Sequence, residues 1–166
     1  MSGSSSGAEP RRIRRLPALL AAAHAGSIWW LSSQSFKGGG EPLSSFLGNS
    51  FHLALFGLLA ILLLESCRYG GGWTTGALLT VLAITVGYGV IDELHQTRTA
   101  GRSADAGDVC VDFLAGVGAI AFWWGVRGPG RLGVALLRGL AAGGAALAFN
   151  AWRAWGHLPP SSEGIR

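Results

Sequence analysis

Charged residues are scarce in this chain. Asp, Glu, Lys and Arg together make up 13% of its 166 residues, about half of the roughly 25% that a soluble globular domain carries. The net charge of +4 comes from 13 basic and 9 acidic residues, and no basic patch is interleaved with aromatic residues. The composition therefore argues against a soluble domain and against a nucleic-acid partner.

Cysteine is also rare. The two cysteines, Cys67 and Cys110, do not have the spacing of a metal-binding or redox motif. Cys67 follows one apolar segment and Cys110 begins another. We therefore expect them at opposite membrane faces and predict no disulfide between them.

Apolar residues are abundant: 49% of the chain is hydrophobic and the mean hydropathy is +0.39. Five apolar segments of roughly 16–20 residues each approach the length that crosses a bilayer as a helix. Helices are expected because a strand edge exposed to lipid leaves its backbone groups unpaired. The sequence thus predicts an all-α integral membrane bundle of about five transmembrane helices. The segments run from Leu16 to about Leu31, about Phe46 to Leu64, Trp73 to Ile91, Val109 to about Val126, and Leu132 to about Ala151.

The domain organisation follows from these segments. We predict a disordered tail over 1–12, a transmembrane domain with a four-helix core over 13–127, an additional helix over 128–156 and a C-terminal tail over 157–166. The first segment resembles a signal peptide, with a basic start and an Ala23-His24-Ala25 tripeptide. Its apolar run continues through Trp30 and Leu31, which favours an uncleaved span.

The distribution of basic residues predicts the orientation. Cytoplasmic loops of membrane proteins are enriched in Lys and Arg, and four arginines precede the first segment. We therefore predict a multi-pass protein of the inner (plasma) membrane with a cytoplasmic N-terminus. The segment between the third and fourth spans then lies at the outer face.

This segment and the start of the fourth span, positions 92–112, contain five of the chain's nine acidic residues. An unpaired charge in hydrocarbon is costly, so these side chains must be solvated, paired or functional. Solvation in a loop accounts for Asp105 and also for Asp108 as a capping acid. Glu93 and Asp112 border apolar segments, and a functional or obligatory structural role is favoured for both. Their candidate partners are Arg98 and Arg102.

The spacing of polar residues indicates shared helix faces. Tyr88, Asp92 and Gln96 share a face if the third span continues past Ile91. Asp108, Asp112 and Gly116 repeat at the same interval along the fourth span, and Gly116 lets a neighbouring helix approach closely. His52 lies near the outer end of the second span, at the membrane face of the acidic segment. A hydrogen-bonded structural histidine and a ligand-binding histidine both remain open interpretations of it.

These residues resemble the VanZ-like membrane proteins, named after an accessory protein of bacterial glycopeptide-resistance clusters. The resemblance extends from about Ser27 to Trp124. It implies a helical membrane fold and a cell-envelope role, with teicoplanin resistance as the namesake phenotype, but no established reaction. This sequence departs from the family pattern at Asn49, which is neutral, and at Asp112, where Asn is frequent. The matching residues are Asn49, His52, Tyr88, Gly89, Asp92, Glu93, Gln96, Gly101, Arg102, Ser103, Asp108, Asp112 and Gly116.

Two functions follow as hypotheses. In the first, an outer-face pocket binds the headgroup of a lipid or of a cell-wall precursor, with Arg102 as the anion contact. In the second, the protein is a membrane-embedded hydrolase or transferase acting on a lipid-linked phosphate through acid/base or metal chemistry, with His52, Glu93 and Asp112 as catalytic candidates. We predict no resident metal or cofactor, and a transporter fits poorly because no inverted repeat is visible. The predicted ligand-binding residues are His52, Glu93, Gln96, Arg102, Asp108 and Asp112.

Overall fold

The computed structural model describes residues 13–34, 42–69, 71–99, 104–127 and 132–156. Their regular structure is helical, apart from an isolated bridge between Tyr69 and Gly72 in the turn after the second helix. This turn uses Gly71 at a φ of 85°, a left-handed conformation that favours glycine. The helices are α1 (Arg15–Ser32), α2 (Pro42–Ser66), α3 (Thr75–Gln96), α4 (Ala106–Arg127) and α5 (Leu132–Trp155).

Side-chain caps explain where α3 and α4 begin. The hydroxyl of Thr74 accepts a hydrogen bond from the backbone N–H of Ala77 at 3.2 Å, which satisfies a donor that the helix itself leaves free. Asp105 does the same for Gly107 at 2.8 Å. α3 continues past Ile91 to Gln96, so the condition for a shared polar face on this helix is met.

Within the described residues, three helices are long and apolar enough to cross a membrane: Phe46–Ser66 in α2, Thr75–Gln96 in α3 and Ala106–Arg127 in α4. The five helices of the described ranges confirm the predicted all-α architecture. α1 and α5 are not among these three, so a bundle with five spans stays a prediction for them.

Small residues allow α4 to pack closely against its neighbours. A Cβ added at Gly118 would lie 2.9 Å from Ala142 of α5, and one at Gly139 would lie 2.9 Å from Phe122 of α4. Gly116 faces Thr85 of α3, whose nearest atom would be 3.5 Å from such a Cβ. The predicted close approach at Gly116 is thus observed, and Gly139 serves packing within the chain.

One end of the bundle is held by Glu65 near the end of α2. Its carboxylate accepts a hydrogen bond from Trp123 Nε1 at 2.7 Å and pairs with Arg14 at 2.7 Å. Arg127 lies 3.8 Å from it. Sequence reasoning missed Glu65, because its partners come from the start of α1 and the end of α4. A second group of polar residues lies at the opposite end.

Candidate functional site

Four helices bring polar side chains together at the end of the bundle opposite Glu65. His52 lies near the start of the apolar stretch Phe46–Ser66 of α2. Asp105 precedes α4, Asp108 and Asp112 lie in its first two turns, and the α3 and α5 residues lie near the ends of their helices. Hydrogen bonds and ion pairs connect much of the group, and its acids on α3 and α4 are buried. We call this group the polar cluster: His52, Asp92, Glu93, Gln96, Asp105, Asp108, Asp112 and Arg153.

His52 and Asp112 form the deepest contact in the polar cluster. His52 Nδ1 lies 3.1 Å from Asp112 Oδ1, and Asp112 is 0% exposed. The imidazole ring also stacks on Phe56, with 5.7 Å between ring centroids. Gly89 of α3 leaves the space that the Asp112 carboxylate fills, since a Cβ there would lie 2.5 Å from Oδ2. The predicted proximity of His52 to the acidic segment is therefore observed.

α3 contributes two acids with different partners. Asp92 Oδ2 accepts a hydrogen bond from Gln96 Nε2 at 2.9 Å, one helical turn away. Glu93 Oε2 accepts one from the backbone N–H of Asp105 at 2.7 Å. Glu93 therefore holds the chain segment that leads into α4. The residue is only 4% exposed.

The cation of the polar cluster comes from α5. Arg153 Nη1 donates to Asp108 Oδ1 at 2.6 Å, and Nη2 pairs with the Asp105 carboxylate. The Asp105 side chain is 51% exposed and caps α4, as expected for a solvated loop with capping acids; it also pairs with Arg153, and its N–H bonds to Glu93. In the described part of the chain, Arg98 takes part in no ion pair with Glu93 or Asp112. Arg102, the predicted anion contact, lies outside the described residues.

Sequence reasoning missed Arg153 because no local motif marks it. It is 45 residues from Asp108, and only the return of α5 antiparallel to α4 brings the two together. The sequence contained one indication of its role, which is the position of this arginine in the last turn of an apolar helix. Such a residue faces either water or a buried acid.

Several buried acceptors in the polar cluster have no donor. Six buried side-chain nitrogen or oxygen atoms lack a hydrogen-bond partner within the described ranges. Three of the six are carboxylate oxygens of the cluster: Asp92 Oδ1, Glu93 Oε1 and Asp112 Oδ2. Leaving a buried polar group unpaired costs about 1–3 kcal/mol. The three carboxylate oxygens are therefore available to accept hydrogen bonds or to coordinate a cation.

An apolar groove of about 440 Å³ lies between α2, α4 and α5. It begins next to the polar cluster, since Leu53 follows His52 directly and Ala115 is one turn beyond Asp112. Leu58 and Leu140 line it and are exposed, so the groove opens to the side of the bundle. Its other lining residues include Gly57, Gly118, Phe122, Gly139 and Gly143.

Two further residues of the sequence pattern have structural partners. The Tyr88 hydroxyl donates to the carbonyl of Ala25 in α1 at 2.6 Å, so Tyr88 joins α1 to α3 beneath Asp92. His24 Nε2 lies 2.9 Å from the carbonyl oxygen of Leu55, so this side chain links α1 to α2.

The described chain has the features of a polytopic membrane protein: helices of membrane-spanning length and apolarity, with buried acids confined to the helix ends. The VanZ/LLP1 family model matches residues 6–127, and the chain belongs to this family. The match ends at the end of α4, so α5 and Arg153 lie beyond it. Comparisons with curated proteins and with solved structures find no match.

Proposed function

We propose that this protein is a plasma-membrane protein of the bacterial cell envelope that binds the polar headgroup of a lipid or of a lipid-linked cell-wall precursor in the polar cluster. The observation that carries the proposal is the set of buried carboxylate oxygens without donors at Asp92, Glu93 and Asp112. Hydroxyl and amino groups of a headgroup are donors of the required kind.

The apolar groove supports a lipid rather than a free polar solute. An amphiphile has a polar part and an apolar chain, and here a polar cluster and an apolar groove are adjacent. The groove extends from Leu53 towards Ile61 along α2 and from Ala115 towards Phe122 along α4. A chain lying in it would run along the spans while the headgroup occupies the polar cluster.

The orientation is part of the proposal. Arg14, Arg68 and Arg127 lie near helix ends at the Glu65 end of the bundle, and cytoplasmic loops are enriched in such residues. With that end in the cytoplasm, the polar cluster is at the outer face, where cell-wall precursors are used. The association of the VanZ name with teicoplanin resistance makes a lipid-linked cell-wall precursor the first ligand to test.

Lipid retention by the purified protein tests this proposal. Wild type, Glu93→Gln and Asp112→Asn are purified in detergent, and the bound lipids are identified and counted by mass spectrometry. The matched control is Glu65→Gln, which neutralises a buried acid at the opposite end. We expect a headgroup-specific lipid on wild type and on the control and its loss from both cluster variants. Equal retention by all four proteins would refute headgroup binding in the cluster.

A second candidate is an enzyme acting on a lipid-linked phosphate. The contact between His52 and Asp112 favours it, because a carboxylate that orients an imidazole is a common arrangement in general acid/base catalysis. Incubation with a lipid-linked diphosphate distinguishes the two functions. Phosphate release that His52→Ala abolishes would support the enzyme, whereas tight binding without turnover supports the binding protein.

A further inference from the structure

The polar cluster has an excess of negative groups. Asp92, Glu93, Asp108 and Asp112 are all buried, and Asp105 adds a fifth carboxylate at the edge. Of the residues whose positions are described, Arg153 is the arginine that pairs with this group, and His52 is the histidine that contacts it. Ion pairs within the described cluster therefore leave several carboxylates without a cationic partner.

Three side chains of the cluster converge on one point. His52, Glu93 and Asp108 each offer a ligand atom, and these atoms all lie within 4.8 Å of one another. Nitrogen and carboxylate oxygen atoms lie about 2.0–2.2 Å from a tetrahedral Zn²⁺ ion, so they are roughly 3.3–3.6 Å from one another. From separations of at most 4.8 Å, the three donors need to approach each other by at most about 1.5 Å.

The partners of each donor leave it free to bind a metal ion. An ionised Asp112 only accepts hydrogen bonds, so its contact with His52 Nδ1 places the proton on that nitrogen and leaves the lone pair on Nε2. Glu93 Oε1 is buried and has no partner in the described chain. Asp108 binds Arg153 through Oδ1, and a carboxylate has a second oxygen for a metal.

We propose that His52, Glu93 and Asp108 form a binding site for one divalent metal ion, with Zn²⁺ and Mn²⁺ the best suited. The mixed imidazole and carboxylate donor set is the reason, because imidazole favours Zn²⁺ and carboxylates favour Mn²⁺. Asp112 is the positioning residue, since metal-binding histidines commonly donate their other N–H to a carboxylate. Three protein ligands leave coordination positions open.

The open positions suggest what the ion does. A metal held by acidic residues presents positive charge to an incoming anion, and phosphate oxygens are suitable ligands for it. If the headgroup-binding function proposed above holds, the ion joins the acidic cluster to a phosphate of the headgroup. The metal site itself depends only on the geometry of the three side chains.

The test uses Mn²⁺ alone as the probe. Tag-free protein in detergent is treated with EDTA, exchanged into buffer and titrated with Mn²⁺, and the free ion is counted by electron paramagnetic resonance. We expect about one bound Mn²⁺ per chain, displaced by Zn²⁺, which binds such sites more tightly. Glu93→Gln and Asp108→Asn should each weaken binding at least about tenfold. Glu65→Gln removes a buried acid at the opposite end of the bundle and should bind like wild type.

If a variant fails to fold, a spectroscopic measurement on the wild-type protein still tests the metal site. Bound Mn²⁺ should show the magnetic coupling to ¹⁴N that a directly coordinated imidazole gives. Absence of stoichiometric binding, absence of this coupling, or equal loss of affinity in Glu65→Gln would each overturn the metal site.

Lipid retention before and after EDTA separates this inference from the proposed function. Mn²⁺ binding without any retained lipid leaves the metal site standing and refutes headgroup binding. Retained lipid on a protein that binds no Mn²⁺ supports headgroup binding and refutes the metal site.

Discussion

Gly89 of α3 lies against the carboxylate of Asp112. Replacing Gly89 by alanine places a methyl group against this carboxylate and leaves every residue of the polar cluster unchanged. The new Cβ would lie 2.5 Å from Asp112 Oδ2 and 3.3 Å from its Cβ and Cγ. Ordinary contact begins at 3.4 Å, so Oδ2 would have to move by about 0.9 Å. Asp112 is 0% exposed, and moving it breaks the 3.1 Å contact with His52.

The expected cost combines three terms. Overpacking a buried site costs about 1–3 kcal/mol, and losing a hydrogen bond to a charged group costs about 1.5–3 kcal/mol. Replacing glycine by alanine within a helix returns up to about 1 kcal/mol. We therefore expect Gly89→Ala to lower the free energy of unfolding by about 1.5–6 kcal/mol.

The assay is denaturation by SDS in detergent micelles, followed by circular dichroism. Gly87→Ala is the matched control, because nothing lies within 4 Å of a Cβ at Gly87; it should be neutral or stabilising by up to about 1 kcal/mol. In an Asp112→Ala background the clash with Oδ2 is absent, so Gly89→Ala should cost at least about 1 kcal/mol less. Equal effects of Gly89→Ala and Gly87→Ala, or no change in the Asp112→Ala background, would refute the packing described.

Two further substitutions test the contacts outside the polar cluster. Tyr88→Phe removes the 2.6 Å hydrogen bond to Ala25 and should lower the free energy of unfolding by about 1 kcal/mol, measured by the same denaturation; an unchanged value would mean that this bond does not join α1 to α3. Glu65→Leu leaves the Trp123 indole N–H without its acceptor and should cost about 1–3 kcal/mol while leaving Mn²⁺ affinity unchanged. A parallel loss of Mn²⁺ affinity would contradict the independence of the two ends.

The helices were predictable because their signal is local. Each apolar segment of the sequence lies within one helix of the structure or differs from it by a few residues at the ends. The largest difference is at α3, where polar residues obscured the last turn, and Asp92, Glu93 and Gln96 continue the helix. They do so because all three are buried against other polar groups rather than exposed in a loop.

The membership of the polar cluster was only partly predictable. His52, Glu93, Gln96, Asp108 and Asp112 were identified from their positions at span ends and from the family resemblance. The partner of Asp105 and Asp108 was not predictable, because it depends on how α5 returns along α4. Arg153 comes from α5, beyond the family match, and pairs with both Asp105 and Asp108. Tertiary packing of distant segments decided which charges meet.

The central claim is that the buried carboxylate of Glu93 serves binding rather than stability, and Glu93→Gln tests it most directly. Glutamine retains an acceptor for the Asp105 N–H but removes a buried charge. Removing a buried charge that lacks a cationic partner is neutral or stabilising. In EDTA-treated, lipid-free detergent we predict a free energy of unfolding equal to or above that of wild type. A decrease of more than about 1 kcal/mol, the size of one structural hydrogen bond, would show that Glu93 serves the fold and would contradict the account.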